Sequence, residues 1–236
     1  MADADGTRAV RVHSVLVLVL DTSTPAVTAA VAEVTDTSVE VRAQRRTVDS
    51  RAHGELLAPQ IAAVLAEVGA RPAELSAIVA GLGPGPFTGL RVGLVTAAGL
   101  GHALGIPTYG VCSLDALGLA AGSGRVLAAT DARRREVYYA TYADGVRTGD
   151  PDVARPADVA AVVAGLADRA VGDGARTYAD QLGLPADEDL LFPPAAALTA
   201  LAADRIRDRA PGERLTPLYL RRPDAIEPSA RKPALR

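Results

Sequence analysis

The chain alternates between short apolar runs and longer stretches in which apolar residues recur at helical spacing. Residues 15–20, VLVLVL, form an unbroken apolar run closed by Asp21 and the polar stretch TSTP, and AVTAAVAEV follows. Run, polar turn and returning run predict a β-hairpin. VEVRAQRRT alternates and predicts a third strand, whereas ELLAPQIAAVLAEVG has the apolar spacing of a helix stopped at Gly69. LSAIVAGLG predicts a strand that runs into GPGPFTGLRVG, residues 83–93, after which a helix is expected over 89–104 with Thr88 as its N-cap. A short strand is expected near PTYGV. The order β-β-β-α-β-α-β describes an α/β lobe with a mixed sheet, because the opening hairpin is antiparallel and the later strands are reached through helices.

The second half opens in the same way. In RVLAATDARRREVYYATYAD a strand ends in an aspartate, turns through polar residues and returns. Asp21 is followed six residues later by Val27, and Asp131 six residues later by Val137. This predicts an internal duplication, with chance coincidence of two hairpins as the alternative. Beyond it, PADVAAVVAGLADR and AAALTALAADRIRDR have helical patterns on either side of a short strand into VGDGA. The closing PLYLRRPDAIEPSARKPALR is too rich in Pro and Arg for a long regular element. The expected organisation is a loose extension at 1–14, a first lobe at 15–112, a second at 113–210, and a tail at 211–236 packing back on the lobes.

With 236 residues, 49% of them apolar, the chain can bury a sizeable core. A net charge of −3 provides no overall field toward nucleic acid or anionic membrane, so any RNA contact must be local. A single cysteine, Cys112, excludes an internal disulfide framework. The run 15–20 is shorter than a secretory apolar core and no stretch approaches a membrane span, so a cytoplasmic protein without membrane association is expected.

Candidate chemistry divides into three groups. Two lobes that each open with strand, aspartate and hairpin match the architecture of actin-like ATPases. There Asp21 and Asp131 would face a cleft, and the hydroxyls of Thr22 and Ser23 would meet phosphate or magnesium-bound water. Equally, both aspartates accept backbone N–H groups in their own turns. The glycine-rich stretch fits no nucleotide loop: position 88 is Thr where a dinucleotide turn needs Gly, no lysine is near, and Pro84 and Pro86 delete two N–H donors. From Leu90 to Leu104 the polar residues are few, chiefly Arg91, Thr96 and His102, so the helix is apolar nearly all round and needs cover on more than one side. Gly89, Gly93, Ala97 and Gly101 recur every four residues. With Leu90, Leu94 and Arg91 they make a candidate partner surface, where a first-turn arginine disfavoured by the helix dipole meets an acidic group. The alternative is that the sheet and second lobe cover the helix and Arg91 pairs internally.

The third group carries little. His13, His53 and His102 are far apart and lie in no metal-binding spacing, so neither a metal site nor a catalytic residue is expected. Cys112 beside Ser113 reads as a small buried residue, and His53 near Glu55 as a capping or pairing one. Arg133, Arg134 and Arg135, with Arg221 and Arg222, are either RNA-phosphate contacts or solvated charge.

VLDTSTPAVTAAV, RAHGELLAPQI, GLGPGPFTGLRVGLVTAAGLGHALGIPTYGVCSLDAL, TDARRREVYYATY and PLYLRRPDA occur in the order and spacing of the bacterial TsaB (YeaZ) family, a resemblance that covers Val15 to Ala225. It implies a two-lobed actin-like (ASKHA) α/β fold, each lobe a mixed sheet flanked by helices. It also implies a non-catalytic subunit for N6-threonylcarbamoyladenosine (t6A) modification of tRNA next to the anticodon. The implied partners are a TsaD-like catalytic paralogue and a TsaE-like ATPase, with tRNA met through the complex and a homodimer formed when the partner is absent. The implied contact is the helix after the GPG motif. No cofactor is implied for this chain, and ATP with magnesium only for the complex. TsaD holds its metal with an H-x-x-x-H pair, which this chain lacks, and residues 111–117, VCSLDAL, have none of the TsaD histidines. The competing readings are an actin-like ATPase or kinase using Asp21 and Asp131 with Mg-ATP, and, more remotely, the peptidase suggested by the family's glycoprotease label.

Overall fold

The computed structural model describes residues 14–221. The first sheet contains β1 (Val15–Asp21), β2 (Ala26–Val34), β3 (Val39–Val48), β4 (Leu75–Gly81) and β5 (Thr108–Val111), in the order β3-β2-β1-β4-β5. β2 is antiparallel to both β1 and β3, while β4 is parallel to β1 and β5. On one face, helices α1 (His53–Glu67) and α2 (Phe87–Leu104) bring Leu57, Ile61, Leu90 and Leu94 onto Leu18, Leu20 and Val27. The other face, with Val17, Val19, Ala30 and Ala32, is buried under Leu198, Ala202 and Ile206 of α7 (Ala195–Arg207). Cover on both faces explains why β1 reads as continuous apolar sequence rather than as an alternation.

The second sheet contains β6 (Arg125–Asp131), β7 (Val137–Ala143), β8 (Val146–Arg147), β9 (Asp152–Ala154) and β10 (Arg169–Val171); its order is β10-β6-β7-β8, and β9 also pairs with β7. Helix α3 (Ser113–Ala121) packs Leu114 and Leu117 on Val126, Ala128 and Tyr142. The opposite face, Leu127, Ala129 and Val137, is closed by α4 (Pro156–Val163), α5 (Asp173–Thr177) and α6 (Ala179–Leu182). Each sheet therefore contains an antiparallel hairpin followed by a later strand laid parallel to its first strand, β4 on β1 and β10 on β6. The duplication extends beyond the hairpins, and the fold is the two-lobed actin-like α/β architecture.

The structure corrects several expectations. Asp21 lies opposite Thr28 in its hairpin, but Asp131 lies opposite Val137, so the equal six-residue spacings are not structurally equivalent. Helix α2 begins at Phe87 with Pro86 as N-cap, which leaves Thr88 inside the first turn with no capping role. Helix α3 occupies residues 113–121, a stretch for which the sequence pattern named no element. Helix α7, expected in a second lobe ending at 210, belongs to the core of the first, because its apolar stripe matches the face that α1 and α2 leave open. The strap 211–221 has no regular element but is tied down: Glu213 N–H donates to Thr108 O at 2.8 Å and Leu218 N–H to Leu82 O at 2.9 Å. The extension 1–13, with His13, and the tail from Arg222 onward lie outside the described residues.

Candidate functional site

The turn after β1 lies where three helices begin. Asp21 is buried; its Oδ2 accepts from Ser113 Oγ at 2.6 Å, and its Oδ1 from Ser23 N–H at 3.1 Å and Ser23 Oγ at 2.8 Å. Burial raises its pKa above the ordinary carboxylate value despite these bonds. Gly81 beneath it has no room for a side chain, since a Cβ there would lie 1.8 Å from Asp21 Oδ2. Thr22 Oγ1 donates to Gly89 O at 2.8 Å and accepts from Gly93 N–H at 3.1 Å, joining the turn to α2. His53 Nε2 donates to Thr24 O at 2.9 Å, joining it to α1.

In the second lobe, Asp131 Oδ1 accepts from Arg133 N–H at 3.1 Å, and Asp131 N–H donates to Asp173 Oδ1 at 3.2 Å. Burial, with the Asp131 charge adding to it, pushes the Asp173 carboxyl up to about 6. Both hairpin aspartates thus bond the N–H two residues on, the local role weighed for them from sequence. Among the described residues, no three His, Cys, Asp or Glu side chains gather as a metal would require. Burial pushes the Cys112 thiol up to about 11, which keeps it protonated and unreactive.

The candidate surface on α2 divides in two. Gly89, Leu90, Gly93, Leu94, Ala97 and Gly101 are buried inside their own lobe. The small residues admit the chain's own neighbours: a Cβ at Gly93 would lie 2.3 Å from Thr22 Oγ1, and one at Gly101 would lie 2.5 Å from Thr108 Cγ2. These six residues are therefore the inner face of the helix, contrary to the sequence reading. Of the predicted set only Arg91 faces outward. It is flanked by Phe87, half exposed, and Val95, 70% exposed, with Ala98, Gly99 and His102 continuing the same exposed face. Arg91 finds aromatic rather than acidic company. Its guanidinium lies 3.8 Å from the Phe87 ring centroid, and its Nε donates to Tyr219 Oη at 2.9 Å. The Phe87 and Tyr219 rings stack at 5.3 Å.

Between this aromatic corner and the β6–β7 turn lies a cleft of about 580 Å³, lined by Phe87, Arg91, Arg133, Arg134, Tyr138, Tyr219 and Arg221 among others. Arg133, Arg134 and Arg135 hold φ of 62, 57 and 60°, three successive left-handed residues in the β6–β7 turn. Arg221 is taken up by Glu136 and by Ala132 O. Phe87, Tyr219 and Tyr138 were not singled out from sequence; the available signal was an aromatic residue immediately after GPGP.

Comparison with known proteins places the chain. Residues 41–204 match the family model described as TsaD: tRNA N6-adenosine threonylcarbamoyltransferase. A crystal structure of YeaZ from Pseudomonas aeruginosa superposes with a TM-score of 0.70 at 31% identity, over 87% of this chain and 100% of that one. The chain belongs to the TsaB (YeaZ) group of the TsaD family. A second Pseudomonas aeruginosa structure, described as similar to peptidase YEAZ, gives a TM-score of 0.71 at 33% identity over 88% of this chain and 100% of that chain. The Escherichia coli tRNA threonylcarbamoyladenosine biosynthesis protein TsaB is 38% identical over 96 residues, 39% of this chain and 42% of that protein. An uncharacterised Mycobacterium tuberculosis protein is 49% identical over 220 residues, 91% of this chain and 96% of that protein. In this chain the buried turn of Asp21 and Thr22 joins β1 to α2 and α3, and the outer face of α2 is exposed.

Proposed function

We propose that this chain is a non-catalytic subunit that binds a TsaD-type catalytic paralogue through the outer face of α2 and so supports t6A formation on tRNA. The observation that carries this reading is the division of α2: its inner face is fully used within the first lobe, yet its outer face still presents Phe87, Arg91 and Val95 to solvent. Large apolar side chains on an exposed helix face gain free energy when a partner removes them from water. The polar atoms of Asp21 and Thr22 are meanwhile occupied by the chain's own groups, which supports a supporting role over a nucleotide-handling one. A TsaE-type ATPase completes the assembly, which meets tRNA and handles ATP and magnesium as a unit, in the cytoplasm. Without the paralogue the same face pairs two copies of this chain. Among the described residues, no helix is long and apolar enough to cross a membrane.

The test is co-purification of the full chain with the paralogue, followed by a t6A assay. Val95→Glu is expected to abolish co-elution and modification while leaving the melting temperature unchanged; undiminished co-elution would remove the interface claim. Magnesium-dependent ATP turnover by the isolated chain, lost in Asp131→Ala, would instead favour a nucleotidase.

A further inference from the structure

We propose that the cleft between the start of α2 and the β6–β7 turn is an RNA-binding site that takes an unpaired nucleotide: base against the Phe87–Tyr219 rings, phosphate on Arg91 and Arg133. The inference rests on the t6A reading above for the identity of the RNA, but its geometry stands independently. The cleft is about 580 Å³, large enough for one nucleotide unit. Its charge is one-sided. Arg221 in its lining is paired with Glu136, whereas among the described residues no carboxylate pairs with the Arg91 or Arg133 side chain. Arg91 and Arg133 both line the cleft, and a guanidinium matches phosphate in a two-pronged geometry.

The aromatic side of the cleft selects among anions. Phe87 and Tyr219 are stacked on each other with Arg91 over the Phe87 ring, and they are still 50% and 42% exposed, so part of this aromatic surface is left to solvent. Flat exposed rings beside arginines are the arrangement on which unpaired bases stack while the backbone is held electrostatically. An acidic peptide would use the cations but gain little from the open rings. Arg133 and Arg134, two of the three successive left-handed residues of the β6–β7 turn, line the cleft. The net charge of the whole chain is −3, so this basic patch is local and not part of a general positive field. The cleft shares Phe87 and Arg91 with the outer face of α2, so RNA bound there would lie at the subunit interface itself, within reach of a catalytic partner.

The experiment measures binding of a fluorescently labelled anticodon stem-loop RNA to the full chain, alone and with its paralogue, across a salt series. Arg133→Ala is expected to weaken binding about tenfold and to lower the salt slope by about 0.7, the value for one single-strand phosphate contact. Arg133→Lys should keep the slope and part of the affinity, which separates lost charge from a disturbed turn, and thermal melting confirms that both variants fold. Equal affinity of Arg133→Ala and the parent overturns the proposal. So does Arg133-dependent binding of free AMP or of a poly-glutamate peptide without RNA binding, because the site would then belong to another ligand. Co-elution with the paralogue is read in parallel. Loss of RNA binding with intact co-elution supports the cleft, and loss of co-elution in Val95→Glu alone tests the subunit interface, so the two readings fail separately.

Discussion

Thr22 shows how closely individual residues are fitted around the β1 turn. Its hydroxyl satisfies a carbonyl and an amide of α2 at once, and it does so because positions 89 and 93 carry no side chain. Gly93→Ala puts a methyl carbon 2.3 Å from that hydroxyl, so the turn must move and both buried backbone groups lose a partner. A loss of about 1–3 kcal/mol is expected, read as a lower denaturant midpoint, the cost of forcing a methyl group into a packed site. Asp173 makes a prediction of opposite character. Its folded carboxyl titrates at about 6, against an ordinary value of 3.8, so between those values the folded chain holds a proton that the unfolded chain has released. The associated stability is complete below the ordinary value and is lost as pH rises through about 6. Asp173→Asn retains an oxygen acceptor for the N–H groups of Asp131 and Gly174 and removes the titration. Relative to the parent it should gain up to about 3 kcal/mol between pH 4 and pH 7.5, measured as the difference between two denaturation series; a constant difference across that range would show that Asp173 does not titrate there.

At the level of elements, α2 is the informative case. The sequence made it apolar nearly all round and attached a partner to the glycine stripe. The structure places that stripe inward, because only small residues let the helix approach the β1 turn and β5 closely. The outer face reads as apolar partly because Ala98 and Gly99 carry so little side chain. Gly99 differs from the other α2 glycines: a Cβ there meets nothing within 4 Å. Gly99→Ala should therefore raise stability by about 0.8–1.0 kcal/mol, the ordinary helix-interior difference, and raise the melting temperature, whereas Gly93→Ala lowers it. The same element shows what Arg91 meets in place of a carboxylate among the described residues. Its cation rests on the Phe87 ring and donates to Tyr219, contacts that offset the unfavourable helix dipole in the first turn.

For the whole molecule, the decisive connection is α7. It is contributed by the second half of the chain but closes the sheet of the first, so the two lobes do not have independent cores. Leu198, fully buried between α7 and the first sheet, is the residue to test. Leu198→Ala is expected to cost about 2–5 kcal/mol. It should also reduce amide exchange protection of β1 and β2, which are more than 160 residues away in sequence. Protection lost only within the second sheet would contradict this arrangement. A fragment ending at residue 112 lacks α7 altogether and leaves Val17, Val19, Ala30 and Ala32 in water, so it should not give a cooperative melt.

By itself the sequence determined both hairpins, the long helices, the duplication and the family, since these follow from local periodicity and contiguous motifs. It also marked Arg91, Asp21 and Asp131, though for the aspartates it left a catalytic and a turn role open. Only the tertiary structure decided which side of α2 is inner, that α7 crosses to the first lobe, and that Phe87, Tyr219 and Arg133 share one cleft. The physical reason is the same in each case. Period and composition report whether a residue prefers burial, but which surface buries it depends on residues far along the chain. The Thr22 hydroxyl that requires Gly93, and the sheet face that requires Leu198, are contacts that no local pattern records.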